Sequence, residues 1–283
     1  MHPEVNVAAC LLNLKDLKKF RLHKCFQTNV RLGENMIDLV AWMDRRLYPS
    51  YLEKNWDDSM LRARVLEMLT PEAVLLDLGA GAGIIHQLNF RGLAGRTCGV
   101  DLDPRVMTEN RYLDEAFQGS AESIPYPDET FDLVLANNVM EHIENPHRVY
   151  REVCRVLKPG GRFIFKTPNK WHYMPLVAQL TPLWFHKYVN SIRGRKSEDT
   201  FPTRYLANSP RRINSLASAS GLSVEFIDLI EGRPEYARLT AITYLFGFLY
   251  ERIVNRIPGL GLFKIVIIAQ LFKPPALSRR TGS

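Results

Sequence analysis

The sequence is poor in cysteine and has no long hydrophobic run. Its 283 residues include four cysteines, which are scattered and never form a C-x-x-C pair. This spacing suggests neither a disulfide framework nor a zinc motif, and it suits a reducing compartment. No apolar run reaches the length of about 18 residues that indicates a membrane span. The apolar patch 5–14 lacks the basic flank and cleavage site of a signal peptide, so we expect a cytoplasmic protein.

The sequence also lacks internal repeats and long low-complexity tracts, which argues against a repeat architecture. With 46% hydrophobic and 24% charged residues, its composition is typical of a globular protein. The charge is uneven, since residues 58–158 carry 10 Lys and Arg against 16 Asp and Glu, whereas residues 159–283 carry 18 against 7. The basic C-terminal part could attract an acidic substrate, nucleic acid or an anionic lipid surface, or it could simply be solvated.

Short β-branched or leucine-rich runs alternate with amphipathic segments along the chain. Strands are predicted at 73–78, 97–101, 131–136, 162–167, 222–229 and 263–272. A helix is predicted after Asn145, which can cap it, and Pro159-Gly160-Gly161 should end it. This alternation predicts a mostly parallel, doubly wound α/β sheet whose ligands bind at the carboxyl ends of the strands.

Another helix is predicted between the last two of these strands. Small and polar residues recur there at helical spacing and leave the remaining surface apolar and aromatic; they are Thr240, Thr243, Gly247, Glu251 and Asn255. Such a helix more often packs in a core or an oligomer contact than on a membrane. The neighbouring basic charge keeps membrane contact open as the alternative.

The run VLLDLGAGAG changes from a buried strand to nearly bare backbone. Gly79, Gly81 and Gly83 allow a sharp turn and the close approach of a ligand, and a helix starting near Gly83 would present free amide groups. The spacing is G-x-G-x-G, with Ile84 where the dinucleotide fingerprint has its last glycine. Asp77 precedes the loop and could help hold an ammonium group. These features favour a ligand with both charges over a dinucleotide.

A second acid follows the next predicted strand. Asp101, in CGVDLDP, comes 22 residues after Gly79 and can accept hydrogen bonds from a ribose diol. Asp103 fits better as the cap of a helix that begins near Pro104. Because the carboxyl ends of parallel strands share one edge of a sheet, Asp101 and the glycine loop should lie close together.

Four motifs in order across residues 74–169 resemble those of class I S-adenosylmethionine-dependent methyltransferases: VLLDLGAGAG, GVDLDP, GSAESIPYPDETFDLVLANNVMEHI and LKPGGRFIFKTPN. In motif style the chain is similar to type 11-like enzymes and ubiquinone-pathway O-methyltransferases. The resemblance implies a Rossmann-like seven-stranded sheet, mostly parallel with an antiparallel last strand. It also implies S-adenosylmethionine as cofactor and S-adenosylhomocysteine as product. The matching cofactor positions are Asp77, Gly79, Ala80, Gly81, Gly83, Asp101, Leu102, Ser120, Ala121 and Asn137.

The resemblance leaves the chemistry of transfer less defined. Ser120 stands where the family often has Asp, so contact with the adenine amine could pass to Glu122. His142 is the first candidate base for a hydroxyl acceptor, with packing beneath the loop as the alternative. In related enzymes two acids and a histidine bind a metal; Glu141 and His142 match, but Asn138 replaces the first acid, and we expect no metal. Four further candidates rank below His142: His172, Tyr173, His186 and Tyr188.

We expect one domain with five segments. They are a helical N-terminal cap at 1–57, a cofactor-binding core at 58–167, an insertion forming a substrate lid at 168–210, the C-terminal part of the sheet with its amphipathic helix at 211–273, and a flexible tail at 274–283.

The predicted reaction is methyl transfer to an oxygen, nitrogen or carbon atom of a small or amphiphilic acceptor, such as a quinone precursor, a lipid or a glycan. Nucleic acid is disfavoured, because the basic residues are spread over many elements and no RNA-binding module is visible. Peripheral contact with an anionic membrane and the oligomeric state stay open. The alternative is a non-catalytic S-adenosylmethionine-binding or regulatory protein that keeps the fold.

Overall fold

The computed structural model describes residues 33–53, 55–180, 202–238 and 240–275 of the chain. Its strands are β1 (Val74–Leu78), β2 (Arg96–Asp101), β3 (Glu115–Gln118), β4 (Phe131–Asn137), β5 (Leu157–Pro168), β6 (Ser223–Ile230) and β7 (Val266–Phe272). They form one sheet in the order β3-β2-β1-β4-β5-β7-β6. Only β7 runs antiparallel to its neighbours, β5 and β6. The predicted mostly parallel α/β sheet is confirmed.

The hydrophobic pattern located six of these strands and missed β3. Its four residues, Glu115–Gln118, are half-buried or exposed, so they show neither a continuous apolar run nor a clean alternation. The strand is an edge that pairs only with β2, from Cys98 opposite Glu115 to Asp101 opposite Gln118. The family resemblance, rather than the hydrophobic pattern, implied a seventh strand.

Helices cover both faces of the sheet. They are α1 (Gly33–Leu47), α2 (Trp56–Leu66), α3 (Arg105–Thr108), α4 (Pro146–Val156), α5 (Tyr173–Leu180), α6 (Pro210–Ser220) and α7 (Ala241–Arg256). The buried side chains of α4 and α6 pack on one face against β4, β5 and β7. Helix α2 packs on the other through Trp56, Leu61 and Val65. Both faces of the central strands are therefore buried, as their apolar sequences require.

The helix predicted to start near Gly83 is absent. Gly83 has φ +69°, which cannot begin a right-handed helix, and the next regular element is a single 3₁₀ turn at His86–Leu88. The Arg62 guanidinium on α2 donates to the carbonyls of Gln87 and Asn89, each at 2.7 Å. These two contacts satisfy carbonyls at the end of the segment. A ligand at the glycine loop meets loop amides without a helix dipole behind them.

Two smaller predictions concern helix ends. Asn145 caps α4, and its side chain accepts a hydrogen bond from the Arg148 amide at 3.2 Å. The helix does not extend to Pro159, because Leu157 is already extended and pairs with Phe131 as the first residue of β5. The N-cap of the short helix α3 is Pro104 rather than Asp103, although the Asp103 carboxylate accepts from the Arg105 amide at 2.9 Å.

Helix α7 turns its polar side inward. Glu251 is buried and accepts hydrogen bonds from Tyr48 at 2.8 Å and from Asn255 at 2.6 Å. Gly247 lies so close to the chain before the helix that an added Cβ would be 2.5 Å from the Cβ of Pro234. Large apolar side chains cover the opposite, exposed side; they are Ile242, Leu245, Phe246, Leu249 and Ile253. Core packing, which the sequence favoured, therefore does not hold for this apolar side.

Some predictions fall outside the described residues. These are most of the N-terminal cap, the central part of the insertion with His186 and Tyr188, and most of the tail. None of the described helices has both the length and the hydropathy needed to cross a membrane.

Candidate active site

Two adjoining cavities, of about 1220 and about 200 Å³, lie at the carboxyl ends of β1, β2, β4 and β5. Both are lined by Gly79, Asp101 and Asn137. We call the part around the glycine loop, Asp101, Ser120 and Asn137 the donor half of the cleft. We call the rest of the large cavity the acceptor half; its residues include Glu141, His142, His172, Tyr173, Arg204, Tyr205, Glu231 and Tyr236.

The glycine loop has no room for side chains at its first turn. Gly79 has φ +82°, and its amide donates to the carbonyl of Val100 at 2.7 Å. A Cβ at this position would be 2.2 Å from Cγ2 of Val139. Gly81 and Gly83 also have positive φ, at +52° and +69°. Glycine is the residue that adopts these conformations without strain.

Asp101 holds the loop and faces the cleft. Its carboxylate accepts hydrogen bonds from the Gly81 amide at 2.7 Å and from the Asp103 amide at 2.8 Å. Two carboxylate oxygens have about four acceptor sites, so further donors can still be bound. Asn110, which sequence reasoning missed, donates to the carbonyls of Ala80 and Gly81, both at 3.1 Å. No local motif marks Asn110, because its partners lie 29 and 30 residues away.

Two polar groups under the donor half favour a cation. Asp77 is buried in β1, and this burial together with the Asp101 charge raises its pKa to about 7. A positive group near Asp77 would offset the cost of ionising it. Asn137 donates through Nδ2 to Asp58 at 2.9 Å, while its buried Oδ1 has no hydrogen-bond partner. A donor such as an ammonium would satisfy that oxygen.

The third strand leads into a loop with its own hydrogen bonds. Ser120 Oγ accepts from the Glu122 amide at 3.1 Å. The Glu122 carboxylate accepts from the Asn145 amide at 3.0 Å, which ties this loop to the start of α4. Ser120, Ala121 and Glu122 line the cleft beside Leu102, an exposed apolar side chain. The serine hydroxyl still has its proton available for a ligand.

The floor of the cleft contains a buried ion pair that sequence reasoning also missed. Lys166 on β5 is 1% exposed and contacts both Asp58 and Asp57, the latter at 2.6 Å. Both acids belong to the first turn of α2. Because Asp58 also receives the Asn137 side chain, the cluster links α2 to the ends of β4 and β5. The two acids are more than 75 positions from Asn137 and Lys166 in sequence, so no motif could reveal the cluster.

His142 has a defined tautomer. Its Nδ1 is 3.0 Å from the carbonyl oxygen of Pro202, which only accepts hydrogen bonds, so Nδ1 carries the proton of the neutral ring. Nε2 then holds the lone pair, 4.0 Å from Oε1 of Glu141. Burial raises the pKa of Glu141, whose Oε2 accepts from Thr167 at 2.9 Å. This arrangement suits an imidazole that accepts a proton at Nε2.

The described lining of the cleft is acidic, although the whole sequence has a net charge of +7. Among the described residues, eight carboxylate residues line the large cavity, against three Lys and Arg residues. The acids are Asp57, Asp58, Asp101, Glu122, Glu141, Glu144, Glu231 and Glu235, and the cations are Lys166, Arg204 and Arg233. Such a cleft attracts cations and repels polyanions.

The structure brings the predicted residues together. Asp77, Gly79, Ala80, Gly81, Gly83, Asp101, Leu102, Ser120, Ala121, Asn137 and His142 line one cavity or the other. His172 and Tyr173 line the large cavity too. Their roles remain predictions. Within the described part of the chain, no three or more His, Cys, Asp or Glu side chains are grouped to hold a metal ion.

Comparisons with known proteins agree with this geometry. Residues 76–165 match the family model described as a methyltransferase domain. A malonyl-[acyl-carrier protein] O-methyltransferase of Methylococcus capsulatus is 30% identical over 52% of this chain, and the match spans only 55% of that enzyme. The ubiquinone/menaquinone biosynthesis C-methyltransferase UbiE of Hahella chejuensis is 26% identical over 69% of this chain and 78% of its own.

A solved structure shares the fold. It is the complex between the Haloferax volcanii Trm112 methyltransferase activator and a candidate methyltransferase, with a TM-score of 0.50 and 18% identity. The match covers 84% of this chain and 96% of that chain.

Proposed function

We propose that this chain, whose residues 76–165 belong to the methyltransferase domain family, is an S-adenosylmethionine-dependent methyltransferase that acts on a small or amphiphilic acceptor. The observation that carries the proposal is the junction of the two cavities. There the strained glycine loop, the Asp101 carboxylate and the unpartnered Asn137 Oδ1 converge. When bound, S-adenosylmethionine supplies a methyl group on a positively charged sulfur.

The residues of the donor half fit the groups of this cofactor. Asn137 Oδ1 and the buried Asp77 suit its ammonium, and Asp101 suits the ribose diol. Leu102 and Ala121 offer apolar contact to the adenine ring, and the Ser120 hydroxyl offers one hydrogen bond. Because the Ser120 oxygen already accepts from the Glu122 amide, its proton is best used toward a ring nitrogen of adenine.

In the acceptor half, His142 is the candidate base. Its Pro202 contact leaves the lone pair on Nε2, where a proton from an acceptor hydroxyl would arrive. The Glu141 carboxylate, 4.0 Å away, would stabilise the resulting imidazolium. Transfer also requires that donor and acceptor be held in contact, which is the task of the cavity walls. An oxygen acceptor uses this base, whereas an amine or an activated carbon could react without it.

The acidic lining supports an uncharged or cationic acceptor rather than nucleic acid. Each of the three cations that the described residues contribute to the lining already has acidic partners: Lys166 has Asp57 and Asp58, Arg204 has Glu144, and Arg233 has Glu235. A phosphate backbone would meet an excess of carboxylates. Quinone precursors and neutral lipids or glycans meet no such repulsion.

The proposal also includes peripheral contact of α7 with an anionic membrane. On the outer side of α7, Ile242 is 63% and Phe246 is 70% exposed. Arg256 follows on the same side, and Arg252, whose side chain is 44% exposed, pairs with Glu251 at 3.3 Å. Exposed apolar side chains next to arginines suit a surface of anionic phospholipids. Sedimentation with anionic and with zwitterionic vesicles tests this, and equal recovery with both would refute the charge contribution.

The proposed site of action is the cytoplasm. Cys98 and Cys154, the cysteines in the described residues, are free. A reducing compartment maintains that state.

Calorimetry with S-adenosylmethionine and S-adenosylhomocysteine is the direct test of the cofactor. We expect both to bind, and Asp101→Ala should weaken both at least about tenfold by removing a charged acceptor. If neither compound binds to the unaltered protein, the proposed function is wrong. Unchanged affinity in the variant would show only that the ribose ligand lies elsewhere.

Labelling identifies the acceptor class. The protein is incubated with methyl-labelled S-adenosylmethionine and an extract of its native cells, which is then separated into lipid, small-molecule, protein and RNA fractions. We expect label in the lipid or small-molecule fraction. Cofactor binding without any transfer would favour the non-catalytic alternative.

A further inference from the structure

His172 is a buried histidine in the acceptor half with one unused nitrogen. It is 1% exposed, and Nδ1 accepts a hydrogen bond from the Met174 amide at 3.2 Å. An amide nitrogen only donates, so Nδ1 holds a lone pair and Nε2 carries the proton of the neutral ring. Nε2 is buried and has no hydrogen-bond partner. A buried donor without a partner costs about 1–3 kcal/mol, so a bound group that accepts a hydrogen bond from Nε2 would stabilise the site.

Glu231 stands opposite this donor. Its Oε2 is 3.7 Å from Nε2 of His172, too far for a hydrogen bond, and accepts from the Ile265 amide at 2.7 Å. Both residues line the large cavity. A single oxygen about 2.8 Å from each atom can bridge such a distance. The pair therefore offers one donor and one acceptor to the same group.

Aromatic rings surround the pair. The His172 ring centroid is 4.1 Å from that of Tyr173 and 6.3 Å from that of Tyr236. Both tyrosines line the cavity, and Ile265 and Val266 add apolar surface. Flat walls of this kind bind flat rings through area burial and ring contacts.

Hydrogen-bond complementarity selects the group that fits. A hydroxyl can accept from His172 and donate to Glu231, and it satisfies both. A carboxylate or phosphate would face Glu231 without a counterion, since Arg233 is already engaged with Glu235 and with the carbonyls of Leu52 and Glu53. An ether or a quinone carbonyl could use only the histidine.

We propose that His172 and Glu231 form a recognition subsite for the uncharged hydroxyl of an aromatic acceptor, whose ring lies against Tyr173 and Tyr236. That this molecule is the methyl acceptor rests on the proposed function. The two side chains position this part of the molecule, while the methyl-receiving atom lies nearer His142. The subsite thus selects hydroxylated aromatic molecules over their carboxylated or fully alkylated analogues.

The test uses catechol as probe and 1,2-dimethoxybenzene and benzoate as matched compounds, with S-adenosylhomocysteine present. Ring-labelled histidine NMR should show His172 as the Nε2–H tautomer, and catechol should shift its signals while leaving those of His86 unchanged. The matched compounds should bind at least tenfold more weakly. His172→Leu should weaken catechol binding at least tenfold, whereas His172→Gln, which keeps a donor, should retain affinity within about threefold.

Several outcomes overturn the inference. They are an Nδ1–H tautomer, failure of catechol to bind or to shift His172, equal binding of 1,2-dimethoxybenzene, and equal affinity in the His172→Leu variant. S-adenosylhomocysteine binding is measured for each protein. If the unaltered protein binds S-adenosylhomocysteine but not catechol, only the subsite is refuted. If the unaltered protein does not bind S-adenosylhomocysteine, the proposed function is refuted.

Discussion

The two halves of the cleft are built in different ways. In the donor half, Gly81 binds Asp101 and Asn110 binds Ala80, so the contacts join residues 20 and 30 positions apart in consecutive βα units. In the acceptor half, His142 contacts Pro202 and His172 faces Glu231, and these partners are about 60 positions apart. Both donor-half contacts pair a side chain with the backbone of the glycine loop, whereas His172 and Glu231 in the acceptor half face each other through their side chains.

This difference predicts that substitutions in the two halves have different effects on ligand binding. Backbone contacts in the donor half depend on conformation, so a change there should affect any cofactor and every acceptor alike. Side chains in the acceptor half can be exchanged while the sheet is kept, and such changes should alter the acceptor without altering cofactor binding. The predictions below, ordered from the largest expected effect to the smallest, test whether the halves are independent.

Removing the candidate base should act on the acceptor half alone. His142→Asn keeps a donor toward the Pro202 carbonyl but has no basic nitrogen. We expect transfer to a hydroxyl acceptor, measured as label entering the substrate fraction, to fall by about 10²–10⁴-fold. Calorimetry should give unchanged S-adenosylhomocysteine affinity. A variant with full transfer rate would show that His142 only packs beneath the loop.

Closing the glycine turn should act on the donor half. Gly79→Ala combines the left-handed φ, which costs about 1–3 kcal/mol, with a Cβ 2.2 Å from Val139, and should weaken S-adenosylhomocysteine binding at least about 100-fold. Gly160→Ala is the matched control, because Gly160 has the same φ of +82° but nothing within 4 Å of its Cβ. Equal cofactor affinity in both variants would contradict a role for the close approach.

The charge under the donor half should make cofactor affinity depend on pH. Asp77 titrates with a pKa of about 7 in the unliganded protein, and a bound ammonium favours its ionised form. S-adenosylhomocysteine affinity should therefore fall by up to about tenfold per pH unit below pH 7. In Asp77→Asn this dependence should disappear. Calorimetry from pH 5.5 to 8.5 measures both, and parallel curves would refute the assignment.

The raised pKa of Asp77 also predicts that the stability of the unliganded protein changes with pH in the direction opposite to cofactor affinity. The folded pKa of Asp77 is raised from 3.8 to about 7, so the folded protein binds the extra proton between about pH 4 and pH 7. The Asp77 contribution to stability is then lost as pH rises through this window. Without cofactor, Asp77→Asn should be more stable than the unaltered protein above pH 7, on the order of 1–4 kcal/mol. Denaturant unfolding at pH 5 and pH 8 measures the difference.

Sequence reasoning worked where residues close along the chain share one task. The glycine spacing and Asp101 are neighbours on consecutive strands, and their motif spacing reports the turn directly. It failed at Gly83, where a helix was expected, because glycine also adopts left-handed backbone angles and takes φ +69° there. It also missed Lys166 with Asp57 and Asp58, since a lysine in a strand predicts exposure unless its counterions are known.

The sequence by itself determined six of the seven strands, the turn that follows β1 and the residues around the donor half, because hydrophobic periodicity and glycine conformation act within a few residues. Only the tertiary structure decided the rest. It turned the polar side of α7 inward, because Glu251 accepts a hydrogen bond from Tyr48 in the N-terminal part of the chain. It fixed the tautomers of His142 and His172 through Pro202 and Met174. Hydrogen-bond partners determine which nitrogen carries the proton, and the packing of the whole chain determines the partners.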